Sequence, residues 1–481
     1  MSITPGCPNP NRRVLLQRGL ALAAVAALRP RAAVASEPYA AIVPPHQPPS
    51  AGARPPQRSP QRPRPTPSQV AWQQDGVALF VHFGINSFTD REWGDGRESP
   101  TLFNPTALET RQWARAAKAA GAKALILTAK HHDGFCLWPT ATTTHSVASS
   151  PWRGGRGDLV REFVDACRSE GLKAGLYCSP WDRNHPAYGD SARYNDIYAA
   201  QLTELLTQYG EIAEVWFDGA NGEGPNGKRQ VYDWPRTWAL VRRLQPQAVI
   251  FSDAGPDIRW IGNERGVAGE THWSTIRPEA VPYPGVDGPE IIRALQEGHP
   301  DGSVWRPGET DVSIRPGWFH HPAEDAHVKS VEQLVDLYFT SVGRNSKLLL
   351  NVPPTREGRF HATDVAQLAA MHEAVSALFA YEAKAAASTW QVLGGTTAER
   401  RIRFARPERL RTLELREAIT DGQQVMRWTL SALEAPAVVL ARGTTIGFRQ
   451  LRRLPSVAVT GLVLRVETLD APRPVVVQAF R

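Results

Sequence analysis

The sequence predicts an α/β protein: a (β/α)8-like (TIM) barrel followed by a small C-terminal all-β domain. Three observations carry that prediction. From residue 79, short apolar, β-branched runs alternate with amphipathic helical stretches, and about eight such runs can be traced. Carboxylates, histidines and tryptophans gather just after those runs, where a barrel of this kind places its functional groups. After Ala385 the texture changes to short runs of β character with turns between them.

The chain opens on a targeting signal rather than on structure. Arg12-Arg13 precede two leucines, an apolar stretch spans Gly19 to Leu28, and Ala33-Val34-Ala35 offers a small-x-small cleavage pattern. Residues 1–35 are therefore expected to be a twin-arginine export signal of a bacterium, which implies a periplasmic or secreted protein. Residues 36–68 form a Pro-rich, Arg-bearing linker with no means of building a core. Residues 69–384 are assigned to the barrel and 385–481 to the all-β domain. No apolar run reaches the ~18 residues of a membrane span, so no transmembrane segment is expected.

Charge follows the same division. Residues 1–68 hold nine arginines and one acid, Glu37, for +8, while the whole chain carries +7. The remainder is nearly neutral, about −1. With no basic surplus left for the folded part, nucleic acid is set aside as a partner. Cys7 leaves with the signal. Cys136, Cys167 and Cys178 form no CxxC motif, so a disulfide among them stays open, but they are no scaffold.

The strand-like runs are Leu79–Phe83, Ala124–Thr128, Ala174–Cys178, Glu214–Phe217, Ala248–Ser252, Val267–Thr271, Val304–Ile314 and Leu348–Val352. Helical patterns at 110–123 and 157–173 lie between them; Leu159, Phe163, Ala166 and Cys167 recur at helical spacing, and Gly171 closes that stretch. The ends of the runs offer His82, Glu92 and Trp93; then His131, His132 and Asp133; then Tyr177, Ser179, Trp181 and Asp182; then Asp218, Glu264, Glu270 and Trp318. Such a rim suits a sugar. Hydroxyls need directed donors and acceptors, and the ring's apolar face stacks on aromatic residues.

Within that rim, Asp218 ends the apolar stretch Val215-Trp216-Phe217 and precedes a loop with four glycines. Its plain role is that of a turn residue accepting a loop N–H. Its chemical role would be that of one of the two carboxyl groups that flank a scissile glycosidic bond, ~5–5.5 Å apart in a retaining enzyme. Glu264 and Glu270 compete to be the second. The His131-His132 pair also invites a metal. Adjacent strand residues point to opposite faces, however, and metal pairs favour HxH or HxxxH, so no metal and no cofactor are expected. A metal-dependent hydrolase, or a carbohydrate-binding protein on an inactive hydrolase barrel, remain as alternatives.

The segments FVHFG, EWGDG, ILTAKHHDGFCLWPT, GDLVREF, GLYCSPWDRN, EVWFDGANGEGPNGK, RWIGNERG and SKLLLNVPP resemble, in this order, the α-L-fucosidases of glycoside hydrolase family 29. The resemblance covers roughly residues 70–380. It implies a (β/α)8-like barrel followed by a C-terminal β-sandwich, 385–481, and a retaining, exo-acting enzyme without cofactor that releases α-L-fucose from a fucosylated oligosaccharide or glycoconjugate. It implies Asp218 as nucleophile and a fucose pocket of His82, Glu92, Trp93, His131, His132, Tyr177 and Trp216, with Trp318 on the rim. WFDGANGEGPNG and SPWDRN look more like the branch that prefers α-1,3/1,4-linked, Lewis-type fucose, in which Glu264 matches the acid/base. For residues 385–481 a packing role against the barrel is preferred over sugar binding, because few aromatic residues are available for a platform.

Overall fold

The structure, a computed structural model, describes residues 62–481. The expected signal peptide and nearly all of the expected linker lie outside the described residues. The first helix, Pro67–Asp75, starts inside the segment read as linker. The reason is local. Thr66 accepts the Gln69 N–H, the Gln69 side chain accepts the Thr66 N–H in return, and Pro67 occupies the first helical turn.

Eight parallel strands then close into a barrel: β1 (Val77–Val81), β2 (Ala124–Lys130), β3 (Lys173–Cys178), β4 (Glu214–Trp216), β5 (Val249–Ser252), β6 (Ile258–Trp260), β9 (Gly308–Ser313) and β10 (Ser346–Asn351). The neighbours run in that order, and β10 pairs with β1. Most connections carry a helix. Leu159–Ser169, for example, is capped by Asp158 through the Arg161 N–H at 2.9 Å and buries Phe163 and Cys167 against the strands.

Two strands differ from expectation. Residues 267–271 form no strand, and the sixth strand is Ile258–Trp260. It pairs with β5 from Ile258 opposite Phe251, so the five residues 253–257 suffice to join two parallel neighbours without a helix. An arginine in its centre also hides its pattern. Arg259 is fully buried and donates to the carbonyls of Leu295, Trp273 and Arg306. The run expected over 304–314 is split. Val304–Trp305 (β8) pairs antiparallel with Thr275–Ile276 (β7) in a small two-stranded sheet, and the barrel strand begins at Gly308.

The lower end of the barrel interior holds charge. The Lys347 ammonium donates to Glu214 at 3.1 Å, as does the Trp72 indole at 2.9 Å, and the Trp216 indole donates to Glu309 at 3.2 Å. Burial first, and the Glu214 charge second, hold the Glu309 carboxyl well above the ordinary carboxylate range. The Trp216 ring, stacked on Phe251 with centroids 4.0 Å apart, lies between this cluster and the upper end.

The C-terminal part is a β-sandwich. A five-stranded antiparallel sheet, in order β11 (Ala385–Gly394), β12 (Thr397–Arg409), β17 (Ala458–Thr468), β14 (Val425–Ala432) and β15 (Val439–Gly443), faces a three-stranded sheet of β16 (Gln450–Arg453), β13 (Thr412–Arg416) and β18 (Val476–Phe480). Ile402, Phe404, Trp428 and Leu464 meet Leu413, Leu415 and Ala479 in its core. Cys136, Cys167 and Cys178 are buried free thiols, so no disulfide joins them. Among the described residues no helix is long and apolar enough to cross a membrane.

Candidate active site

Strand β4 ends at Trp216, and Asp218 follows, fully buried, at the upper rim. Both readings of this residue apply at once. Its Oδ1 accepts the Ala220 N–H at 2.8 Å, closing a turn at the start of the glycine-rich loop. Its Oδ2 accepts the Tyr177 hydroxyl at 3.2 Å and lies 3.8 Å from His132 Nε2. The turn fixes one oxygen, and the other faces the pocket.

The two histidines after β2 sit together. A register shift between Thr128 and Lys130 and the end of the strand turn the chain there. As a result the His131 and His132 rings lie 4.2 Å apart instead of on opposite faces, contrary to the strand-based expectation. His132 Nδ1 lies 2.7 Å from the Ser179 hydroxyl, which donates to the Trp181 carbonyl at 2.7 Å. Ser179 therefore accepts from Nδ1–H, and Nε2 is the nitrogen that faces Asp218. Among the described residues no three of His, Cys, Asp and Glu converge as a metal-binding group.

His82 is oriented in the same manner by a residue that sequence reasoning missed. Asn351, at the end of β10, donates through Nδ2 to Ser313 Oγ and to the Trp318 carbonyl, both at 2.9 Å. Its Oδ1 is thereby an acceptor, 2.8 Å from His82 Nδ1. The signal was available: LLLNV, the last strand-like run, carries an amide at its end.

Aromatic rings line the rest. Trp318 packs on His82 at 5.1 Å, Trp93 meets His132 and Trp181 edge-on at 5.7 Å, and the Tyr177 ring lies 5.4 Å from Trp216. Trp181 is backed by a buried ion pair in which Lys130 Nζ reaches Asp182 at 3.2 Å. Burial is the largest single effect and pulls the lysine's pKa down, but the Asp182 charge, its hydrogen bond and smaller neighbouring contributions together outweigh it, and the lysine stays protonated.

Glu92 holds the loop that presents Trp318. Its carboxylate accepts the backbone N–H groups of Trp318 and Phe319 and lies 3.1 Å from His321 Nε2. Trp318 in turn donates its indole N–H to Glu264 at 3.3 Å. Glu264 follows β6, the short strand absent from the expected runs. An Asx turn at Asn263 shapes its loop: Asn263 accepts the Arg265 N–H at 3.1 Å and donates to the Val267 carbonyl at 2.9 Å. The competing Glu270 is not brought to this rim. It pairs with Arg344 at 3.4 Å, near the start of β10, with its side chain 74% exposed.

His82, Glu92, Trp93, His131, His132, Tyr177, Trp216, Asp218, Glu264 and Trp318 thus form one continuous set of contacts at one end of the barrel. It is a buried carboxylate beside two imidazoles, with a second carboxylate across an aromatic wall.

Known proteins share this architecture. The family model for alpha-L-fucosidase matches residues 92–376. Alpha-L-fucosidase 1 of Arabidopsis thaliana is 42% identical over 426 residues, covering 82% of each chain. A crystal structure of a glycoside hydrolase 29 family member from a rumen bacterium superposes with a TM-score of 0.79 at 42% identity, over 88% of this chain and 78% of the other. A glycoside hydrolase 29 fucosidase of Ruminococcus gnavus in complex with fucose gives 0.78 at 28% identity, over 88% of this chain and 96% of the other. This chain belongs to the alpha-L-fucosidases of glycoside hydrolase family 29.

Proposed function

We propose that this α-L-fucosidase works by double displacement, with Asp218 as nucleophile and Glu264 as acid/base, on α-1,3/1,4-fucosylated, Lewis-type glycans. The carrying observation is the state of Asp218: fully buried, one oxygen tied to Ala220 and the other directed beside Tyr177 and His132. Such a carboxylate is held in one orientation before substrate arrives. Asp218 attacks the anomeric carbon while Glu264 gives its proton to the leaving oxygen. A glycosyl ester forms and the aglycone departs. Glu264, now a carboxylate, takes a proton from water, which attacks the same carbon and releases fucose with retained configuration.

The remaining groups bind. Nδ1 of His82 and of His132 donates to Asn351 and to Ser179, so Nε2 is the nitrogen of each ring that meets a sugar hydroxyl. Trp318 ties the acid/base to the fucose pocket, because its indole touches both His82 and Glu264.

The test uses two variants and two substrates. Asp218→Gly is expected to lose at least ~10³-fold in kcat on any substrate. Added azide should restore turnover and give the azide of inverted configuration. Glu264→Ala should lose far less on an aryl fucoside with a good leaving group than on a Lewis-type trisaccharide, since only the poor leaving group needs the proton. Equal losses on both substrates would remove Glu264 from the acid/base role. Release of fucose from the aryl fucoside alone by the parent enzyme would overturn the linkage reading.

We also propose that the protein is exported by its twin-arginine signal. Replacement of Arg12 and Arg13 by lysine should leave activity in the cytoplasmic fraction, and undisturbed periplasmic activity would refute the assignment.

A further inference from the structure

The folded chain is electrically divided. Residues 385–481 hold fifteen arginines, no lysine and eight acidic residues, a net +7, whereas residues 69–384 carry −8. The near neutrality of the folded part is a sum of two opposite charges, and the absence of a basic surplus holds for the sum alone. Some of this positive charge faces the barrel. Arg453 pairs with Asp336 at 2.6 Å, and Arg449 donates to the Tyr338 hydroxyl at 2.9 Å.

The five-stranded sheet uses its arginines differently. Along β12, β17 and β14, Ile402, Phe404, Leu464, Trp428 and Leu430 point into the sandwich core. The alternate positions point away from it. Four of them are arginines, Arg401, Arg403, Arg465 and Arg427, and Arg442 of β15 joins them on the same face. The register sets Arg465 opposite Glu399 on one side and Thr429 on the other, with Arg442 opposite Thr429 in turn. The side chains of Arg401, Arg465 and Arg427 are 59%, 60% and 70% exposed. The acids in these rows are Glu399, shared between Arg401 and Arg465, and Glu467 near Arg427. A positive excess remains, spread over four adjacent strands.

We propose that this outer face docks an anionic polysaccharide, a chain bearing sulfate or carboxylate groups, and so holds the barrel on acidic fucosylated material. A guanidinium presents paired N–H donors that match the oxygens of either group. One exposed arginine contributes little, but several on one face act on a polyanion together. The composition of the face selects the class. A neutral sugar or a single-stranded nucleic acid calls for exposed aromatic platforms. Here Trp428 and Phe404 are turned into the core, at 1% and 6% exposure. This inference adds a second site to the molecule and does not depend on the linkage reading of the first.

The test measures binding of the full chain to dextran sulfate, polygalacturonate and neutral dextran at ~0.15 M salt, where exposed charges more than ~8 Å apart are largely screened. The parent should bind at least one charged polymer and not dextran. Dextran sulfate alone would identify sulfate as the ligand group, and polygalacturonate alone the carboxylate. The triple variant Arg401→Gln, Arg403→Gln, Arg465→Gln should bind roughly tenfold or more weakly, with a shallower salt dependence. Its hydrolysis of an aryl fucoside should be unchanged, which shows that it is folded. A linker variant, Arg54→Gln, Arg58→Gln, Arg62→Gln, should bind like the parent. The proposal fails if neither charged polymer binds, if the triple variant binds as the parent does, or if the loss appears in the linker variant instead. Stronger binding to duplex DNA or to anionic phospholipid vesicles, with the same dependence on the three arginines, would assign the face to that partner and overturn the polysaccharide.

Discussion

Tyr177 and Asp218 meet through one hydrogen bond of 3.2 Å, and its removal isolates what that contact does for the reaction. The Tyr177 hydroxyl is buried, so Tyr177→Phe leaves the ring packed on Trp216 and removes a single oxygen. A neutral hydrogen bond is worth ~0.5–1.5 kcal/mol and one to a charged group ~1.5–3. A fall in kcat/KM of about tenfold is therefore expected, with a stability loss of no more than ~1–3 kcal/mol. A variant as active as the parent would show that His132 and the turn at Ala220 suffice to aim the carboxylate. Asn351 permits a sharper separation. Asn351→Asp offers acceptors on both sides of the side chain, so the Ser313 and Trp318 contacts weaken while that to His82 persists. Asn351→Leu removes all three. If the tautomer of His82 matters, the leucine variant should lose activity well beyond the aspartate variant, with KM rising in both. Equal losses would assign Asn351 to loop packing alone.

At the scale of the element, two loops are joined by charge. His321 lies 2.7 Å from Asp90 and 3.1 Å from Glu92, and the hydrogen bond to Glu92, partly offset by burial and aided by Asp90, raises its pKa to about 9. The folded value exceeds the ordinary 6.5, so this stabilisation is fully present below about pH 6.5 and disappears as pH rises through about 9. Asp90 is 68% exposed and its share is screened, so the total is ~1–2 kcal/mol. Denaturant midpoints of the parent should fall between pH 6.5 and 9.5, and those of His321→Gln should be nearly flat over that range. Parallel curves would place the loop's stability elsewhere. A second junction is steric. A Cβ on Gly219 would stand 2.5 Å from Asp253 Oδ2 and 2.6 Å from the Gly285 nitrogen, which is backbone and cannot swing aside. Gly219→Ala should cost ~1–3 kcal/mol and lower kcat, since the loop it pushes begins at Asp218. Neither junction could be read from the sequence, because each joins segments far apart in the chain. What could be read were strands with uninterrupted apolar runs, such as Ala124–Leu127 in β2, and the polar residues directly after the strands. Ile258–Trp260 escaped because it is three residues long, carries Arg259 at its centre and follows β5 without a helix. The hairpin of β11 and β12 escaped for a related reason: arginines crowd ERRIRF, and almost all of β11 is exposed.

On the scale of the whole molecule, barrel and sandwich share buried hydrogen bonds. His272 lies in the barrel part, and its N–H donates to Thr445 Oγ1 at 2.8 Å. Its carbonyl accepts from Gln423 Nε2 at 3.1 Å, while Gln423 Oε1 accepts the Ser274 N–H at 2.8 Å. Asn345 completes the junction: its N–H donates to the Arg449 carbonyl at 2.9 Å, and its Oδ1 accepts the Phe448 N–H at 2.7 Å. These groups are buried, so a chain ending at residue 384 would lose their partners together. Each buried donor or acceptor left without a partner costs ~1–3 kcal/mol, against a typical total stability of ~5–15 kcal/mol. The chain 63–384 is therefore expected to be insoluble or to melt without a cooperative transition, while the full chain melts in a single step. Gln423→Ala is the milder form of the same cut. It should lower stability by ~2–3 kcal/mol and leave kcat on the aryl fucoside unchanged, because the junction lies at the end of the barrel away from Asp218. Two separate transitions in the full chain, or an active and cooperatively folded 63–384, would show that the barrel stands without its sandwich. In that case the charge on the outer sheet would belong to an independent module, not to a layer of one folding unit.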